Sequence, residues 1–176
     1  VMIFAMFFAG SFLAVFFIAL VVPDAFLTSA FSQQFAAINI INPPTGSLIS
    51  TDYLNIIMFN NFKVMFFSFL LSFLIGTGAL FILSWNASIL AIYLASFIRQ
   101  GLYNDFIFRS IGIAPHAPVE IFAYFFAAIA GGILSIGMIR EKLISKEFLQ
   151  VLKDSLMLLA LAIIAVVFGG FLEVYI

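Results

Sequence analysis

Long apolar segments alternate with short polar connections along this chain. Five segments carry at most one charged residue each, and they cover 1–22, 60–83, 87–98, 118–139 and 155–176. Four of them reach the length of about 20 residues that an α-helix needs to cross the hydrocarbon core of a bilayer, whereas 87–98 spans only together with its flanks. The pattern predicts five membrane-spanning helices, and the helix of the second segment can begin as early as Ser50.

The composition indicates a membrane protein. The chain is 65% hydrophobic and 9% charged, and it contains 25 Phe residues, whereas about a quarter of the residues in a soluble domain are charged. A water-soluble core of 176 residues cannot bury so much apolar surface. We therefore predict an all-α fold, a polytopic transmembrane helical bundle that forms a single domain over 1–176. Its expected location is the cell membrane, with the lipid bilayer as its immediate partner.

Charge and cysteine content exclude several kinds of site. The formal net charge is −1 and no polybasic stretch is present, so the chain is not expected to bind nucleic acid. The absence of Cys excludes disulfides, thiolate metal sites and cysteine nucleophiles. The candidate chemistry therefore rests on a few His, Asn and Glu side chains.

The basic residues predict the orientation in the membrane. Four of the seven lie in the connection between the fourth and fifth segments, and they are Arg140, Lys142, Lys146 and Lys153. The positive-inside rule places this 140–154 connection, and with it the N-terminus, in the cytoplasm. The 24–60 connection is then exterior, in agreement with its acids Asp24 and Asp52.

Two connections have a helical periodicity of their own. In 26–35, apolar residues recur at helical spacing between Thr, Ser and Gln, which predicts a short amphipathic helix on the membrane surface. The 140–154 connection repeats this pattern between its charged residues and predicts a second interfacial helix.

Polar residues are expected to cluster at the exterior face. His116 and Glu120 belong to the hexapeptide 115–120, which opens the fourth span. Acids near a membrane segment are costly and need a structural or functional reason. Under the predicted topology, the end of the fifth span and the start of the second lie on the same face. The candidate cluster comprises His116, Glu120, Glu173, Asn60, Asn61 and Asn86.

Two interpretations of this cluster stay open. In the structural one, Glu120 caps the helix that Pro118 begins, because a carboxylate there meets free backbone N–H groups and the positive end of the helix dipole. In the functional one, His116, Glu120 and Glu173 form a metal or proton site, since an imidazole and two carboxylates suit Zn²⁺ or a similar divalent ion. We expect no cofactor, and a divalent ion enters only under the second interpretation.

Small residues predict how the fourth span packs. Five residues follow spacings of four and three on one face, and they are Glu120, Tyr124, Ala127, Gly131 and Ser135. Small side chains at such spacing allow close helix contact in lipid. Glu120 is therefore expected to face the bundle, and these faces also permit a homo-oligomer.

Several short motifs resemble the stage II sporulation protein M family. They are Asn60-Asn61, Gly76-Thr77-Gly78, Ser84-Trp85-Asn86, the Pro-His…Glu element at 115–120 and Glu173 near the end. The resemblance runs from about residue 55 to the last residue. Ala117 and Ser88 stand where the family usually has glycine.

The resemblance implies a non-catalytic membrane scaffold or assembly protein. For endospore formers, the resemblance implies a scaffold that holds cell-wall hydrolases during engulfment. The implied partners are therefore other membrane or exterior proteins. The alternative is a small-solute or ion transporter or channel that uses the exterior polar cluster. An intramembrane metallohydrolase is disfavoured, because the chain has one His and no His-Glu-x-x-His helix. We therefore expect no enzymatic activity.

Overall fold

The computed structural model describes residues 1–41, 50–143 and 145–175. Within them the chain forms eight helices and no strand. They are α1 (Met2–Val21), α2 (Asp24–Ala30), α3 (Ser32–Ile41), α4 (Ser50–Ile75), α5 (Ala79–Arg99), α6 (Tyr103–Ile113), α7 (Ala117–Arg140) and α8 (Lys146–Tyr175). Five of these, α1, α4, α5, α7 and α8, are long and apolar enough to cross a membrane. The prediction of an all-α polytopic bundle is confirmed.

The predicted boundary between the second and third spans is wrong. The apolar run 60–83 is not one helix, because α4 ends at Ile75 and α5 begins at Ala79. Gly76 has φ +71°, a conformation that residues with a side chain rarely adopt. A side chain at Gly78 would overlap the backbone of Leu71. The third span is therefore a helix of 21 residues rather than the short segment 87–98.

The connection between α7 and α8 is also shorter than predicted. Helix α7 ends at Arg140, and α8 begins at Lys146 and continues to Tyr175. The amphipathic pattern of 140–154 therefore belongs to the first turns of a 30-residue helix and not to a separate interfacial one. Within that pattern, Ile144 lies outside the described residues.

Helices α4, α7 and α8 pack closely on one another. Gly131 allows the approach of α7 to α4, since a methyl group there would overlap the carbonyl oxygen of Phe69. The Ser155 hydroxyl on α8 donates a hydrogen bond of 2.9 Å to the carbonyl oxygen of Ala130. The predicted face of α7 is buried at Glu120, Tyr124, Ala127 and Gly131, whereas Ser135 is half-buried.

Helix α1 pairs with α5 in a second group. Arg99, the last residue of α5, forms an ion pair with Asp24. Its guanidinium also donates to the carbonyl oxygens of Ala19 at 2.6 Å and Val22 at 2.8 Å. These carbonyls lie at the end of α1, where no helical N–H group can reach them. The ends of α1 and α5 therefore lie on the same side of the bundle.

Phenylalanine rings fill the seam between the two groups. The Phe125 ring of α7 stacks on Phe4 of α1 at 5.9 Å between centroids, and Phe8 meets it edge-on at 6.5 Å. These rings belong to the main apolar core, in which Val64 of α4 and Leu83 of α5 are also buried.

The 26–35 pattern predicted one amphipathic helix, whereas the chain forms two helices, α2 and α3, and they pack against α5. Leu27 is buried in a cluster with Ala19 and Ile92. The Gln34 amide donates to the Ser88 hydroxyl at 3.1 Å. Ser88 precedes Arg99 by eleven residues, which is about 16 Å along α5. The apolar side of α2 and α3 therefore packs along α5, because α5 offers small and β-branched residues to cover it.

Candidate functional site

A cavity of about 600 Å³ lies at the end of the bundle where α7 begins and α8 ends. Its walls come from α4, α5, α6, α7 and α8, with single residues of α1 and α3. The six residues predicted as a polar cluster all line it, and they are His116, Glu120, Glu173, Asn60, Asn61 and Asn86. We call it the polar cavity.

Glu120 is the most buried acid in the polar cavity, with 9% of its surface exposed. One of its carboxyl oxygens accepts a hydrogen bond of 2.7 Å from the Asn61 amide on α4. The Asn61 carbonyl oxygen in turn accepts a bond of 3.0 Å from the Tyr124 hydroxyl. Asn61 thus connects two side chains of α7, and the buried polar atoms of the three residues satisfy one another.

The capping interpretation of Glu120 is wrong. Helix α7 begins at Ala117, its N-cap residue is His116, and no side chain caps it with a hydrogen bond. The Glu120 N–H group already bonds to the carbonyl oxygen of His116 at 3.1 Å. The carboxyl group therefore points across to α4 instead of back to its own helix terminus.

Glu173 lies beside Glu120, close enough for the two carboxyl groups to interact. An acid at a helix C-terminus opposes the helix dipole and is expected to find a donor. Arg99, at the end of α5, pairs with Asp24 and not with Glu173. Across the described ranges, no Lys, Arg or His nitrogen lies within 4.0 Å of either glutamate. The two acids thus face the cavity without a cationic partner among the residues that the structure describes.

Two glycines bring α8 close to this acid pair. A methyl group at Gly169 would lie 2.6 Å from Cγ of Glu120. A methyl group at Gly170 would lie 2.5 Å from the sulfur of Met58 on α4. Gly169 and Glu173 are four residues apart and so share one face of α8. The Gly-Gly step therefore determines how closely Glu173 approaches Glu120.

His116 lies at the edge of the polar cavity and is half-buried. Burial lowers the pKa of its imidazole from the ordinary value, because loss of water disfavours the charged form. Within the described residues, no group of three His, Asp or Glu side chains is close enough to hold a metal ion. The structure thus brings His116, Glu120 and Glu173 to one cavity without arranging them as a three-ligand metal site.

Helix α6 contributes charged residues that are not among the six predicted for the cluster. Asp105, Arg109 and Gly112 line the cavity from one face of α6, whereas Ile107 and Ile111 on the other side are exposed. This spacing of three and four residues is the periodicity of an amphipathic helix. It could have been found by testing the connection between the third and fourth spans for period 3.6.

Tyr93 on α5 was also missed. It lines the polar cavity, and its hydroxyl lies close to the Arg109 side chain. A tyrosine within a long apolar span resembles an ordinary core residue, so no signal in the sequence distinguishes it.

A smaller cavity of about 410 Å³ adjoins the polar cavity. The two share Asn60, Asn86 and Ile89 as walls. The smaller one also contains Lys63, an exposed basic residue inside the α4 span, next to Trp85. Lys63 lies inside the predicted span 60–83, and no pattern in the sequence indicates a role for it.

The polar cavity ends on an apolar floor. Tyr124 belongs both to its lining and to the main apolar core. Further along the same helices, away from the cavity, the buried residues are apolar or small, and they include Val64, Met65, Ala87, Ala127 and Val166. Beyond Tyr124 the core that the structure describes is apolar apart from buried serine hydroxyls, which include those of Ser68 and Ser72.

The comparison with known proteins agrees with the motifs at this site. The sequence model of stage II sporulation protein M matches residues 2–176, which extends the resemblance to α1 and α2. No curated protein and no solved structure matches the chain. Because the match covers nearly every residue, the chain belongs to the stage II sporulation protein M family.

Proposed function

We propose that this protein is a non-catalytic membrane scaffold or assembly protein, and that the polar cavity is the recognition site through which it holds its partner. The single observation that carries the proposal is the shape of this cavity, which is polar at its walls and ends on an apolar floor. Such a cavity suits binding from one side of the membrane, because it lies at one end of the bundle and the core beyond Tyr124 is mostly apolar.

The position of the cavity supports recognition at the exterior face. It lies at the end of the bundle opposite the basic residues Arg140, Lys142 and Lys146, which the positive-inside rule assigns to the cytoplasm. Phe108 of α6 lines the cavity and is 77% exposed, so an aromatic side chain stands at its mouth. Exposed aromatic residues are enriched where proteins bind one another.

Site-specific photo-crosslinking in native membranes tests this function. A photoreactive phenylalanine at position 108 is expected to capture one exterior or membrane protein at a reproducible ratio. The matched control is Ile139, which is 82% exposed at the other end of α7. Capture at 108 is expected to fall when Glu173→Gln is added. Equal capture at the two positions, or capture that ignores Glu173, would contradict the proposal.

A second candidate function is transport of a small solute or ion. The observation that favours it is the pair of glutamates that face each other inside membrane-spanning helices, since intramembrane acids often mark ion pathways. Proteoliposomes separate the two candidates. We expect no ion or amino-acid flux above protein-free vesicles, whereas flux that is lost in Glu120→Gln would select the transporter.

A further inference from the structure

We propose that the polar cavity binds a dipolar group, with an ammonium seated between Glu120 and Glu173 and an adjoining phosphate or carboxylate on Arg109. The inference rests on the proposed role of this cavity as a recognition site and names the chemistry that it recognises. Its basis is that one cavity is lined by an acid pair from α7 and α8 and by Arg109 of α6, with Asp105 of α6 as a further acid in the lining.

The acidic wall holds either a shared proton or a cation. Glu120 uses one oxygen to accept the Asn61 amide, and Glu173 lies against it. Two carboxylates away from bulk water repel each other unless a positive group or a proton lies between them. Among the described residues, the chain supplies no basic nitrogen within 4.0 Å of either acid. An ammonium group has three N–H donors and no acceptor, which matches an acceptor-only pair.

Helix α6 presents the guanidinium of Arg109 to the cavity. Arg109 is exposed on α6, lines the cavity and lies near the Tyr93 hydroxyl. In the part of the chain that the structure describes, no acid lies within 4.0 Å of it. A guanidinium binds phosphate or carboxylate through two parallel hydrogen bonds, and a tyrosine hydroxyl can add a third.

The size of the cavity fits a small polar group, either a free molecule or the polar part of a larger one. Its volume of about 600 Å³ falls in the range of small-molecule sites. Exposed Ile107 and Ile111 lie on the other side of α6 and suit the membrane interface. A dipolar group can therefore arrive as a free zwitterion from solution or as the head group of a phosphatidylethanolamine lipid, and both present the same two charges.

Thermal unfolding of the full chain in detergent, with four soluble probes, tests the proposal. Phosphoethanolamine carries both groups, whereas ethanolamine lacks the anion and glycerol phosphate lacks the ammonium. Phosphocholine keeps both charges but has no ammonium N–H. We expect phosphoethanolamine to raise the Tm in a dose-dependent manner, because a ligand that binds only the folded state stabilises it. The other three probes should shift the Tm less at equal concentration.

Charge-neutral variants locate the two ends of the ligand. Arg109→Gln and Glu173→Gln are each expected to weaken phosphoethanolamine binding about tenfold, the usual effect of losing one charged hydrogen bond. Arg140→Gln and Glu147→Gln, which are exposed at the other end of the bundle, are the matched controls. Arg109 is exposed, so its variant remains informative even where Glu120→Gln fails to fold.

The outcomes separate this inference from the proposed function. Equal stabilisation by ethanolamine and phosphoethanolamine, or no effect of Arg109→Gln, would overturn the dipolar site, and so would the absence of any shift. Crosslinking of a partner at position 108 would leave the scaffold proposal standing in that case. Lipid vesicles distinguish a lipid head group from a free solute as the ligand. Retention of phosphatidylethanolamine over phosphatidylcholine after purification supports a head group, and binding of free phosphoethanolamine alone supports a solute.

Discussion

Gly169 of α8 lies directly against the side chain of Glu120 on α7, with room for a hydrogen atom but not for a methyl group. One turn later, Glu173 meets the same carboxyl group. The glycine is thus the reason that the two acids can face each other. The close approach of α8 to α7 at Gly169 therefore creates the acid pair.

Gly169→Ala is the first test of this relationship. The added methyl group would lie 2.6 Å from Cγ of Glu120, so α8 or the Glu120 side chain must move. Overpacking of this kind costs about 1–3 kcal/mol, and we expect a lower Tm in detergent. The control is Gly10→Ala on α1, where the methyl group meets nothing within 4 Å. Similar Tm changes for the two variants would show that Gly169 is not tightly packed.

Gly131→Ala is expected to destabilise the protein more than Gly169→Ala does. Its methyl group would overlap the backbone carbonyl of Phe69, which cannot rotate away as a side chain can. Gly132→Ala is a neighbouring control, because its nearest foreign atom is 4.0 Å away. Urea or heat unfolding monitored by circular dichroism should rank the three variants. A Gly132 variant less stable than the Gly131 variant would contradict the packing of α4 on α7.

Asn61 and Tyr124 are expected to be energetically coupled. Asn61→Ala leaves a buried carboxyl oxygen and a buried hydroxyl without a partner, which costs about 1–3 kcal/mol. Tyr124→Phe removes only the hydroxyl. Because both changes break the same bond, the double variant should be more stable than the sum of the two losses predicts. Strict additivity in a double-mutant cycle would exclude the bond between these residues.

The pH dependence of stability should report on His116. Burial lowers its pKa in the folded protein, so below about pH 6.5 the unfolded chain takes up the proton first. Stability is therefore lost as the pH falls through the unfolded pKa, and the loss should be smaller in His116→Gln. Asp105, Arg109, Glu120 and Glu173 line the same cavity in both proteins, so the difference between the two Tm profiles isolates the imidazole. Parallel profiles of Tm against pH for the two proteins would contradict the lowered pKa of His116.

The orientation can be determined with single cysteines, since the chain has none of its own. Asn104 on α6 and Lys142 after α7 are both exposed. An impermeant maleimide added to intact cells should label Asn104→Cys and should reach Lys142→Cys only after lysis. Reversed labelling would place the polar cavity at the cytoplasmic face and would remove the basis for an exterior partner.

The sequence was sufficient for the helix pattern but not for the helix ends. Membrane length and apolar content predict five spans because a bilayer demands internally bonded helices of that size. The break at Gly76-Thr77-Gly78 was not predicted because it adds no charge to the apolar run, and the positive φ of Gly76 is a property of the folded chain. Helix α6 was not predicted for a related reason, since its apolar side is exposed and adds no core residue.

The sequence predicts which residues line the candidate site but not which hydrogen bonds they form. Topology brings Asn60, His116 and Glu173 to one end of the bundle whatever the rotation of each helix. The bond from Asn61 to Glu120 depends on how α4 turns about its axis, and that rotation follows from close packing at Gly131 and Phe69. Packing of this kind is a property of assembled helices, so it cannot be inferred from any one segment.

The seam filled by phenylalanine rings has a mechanical consequence. The polar cavity opens where the α1–α5 pair meets the group of α4, α7 and α8. Arg109 lies on α6, which contacts α5, and Glu173 lies on α8. A ligand that contacts both the acid pair and Arg109 would therefore hold the two helix groups together beside the phenylalanine seam.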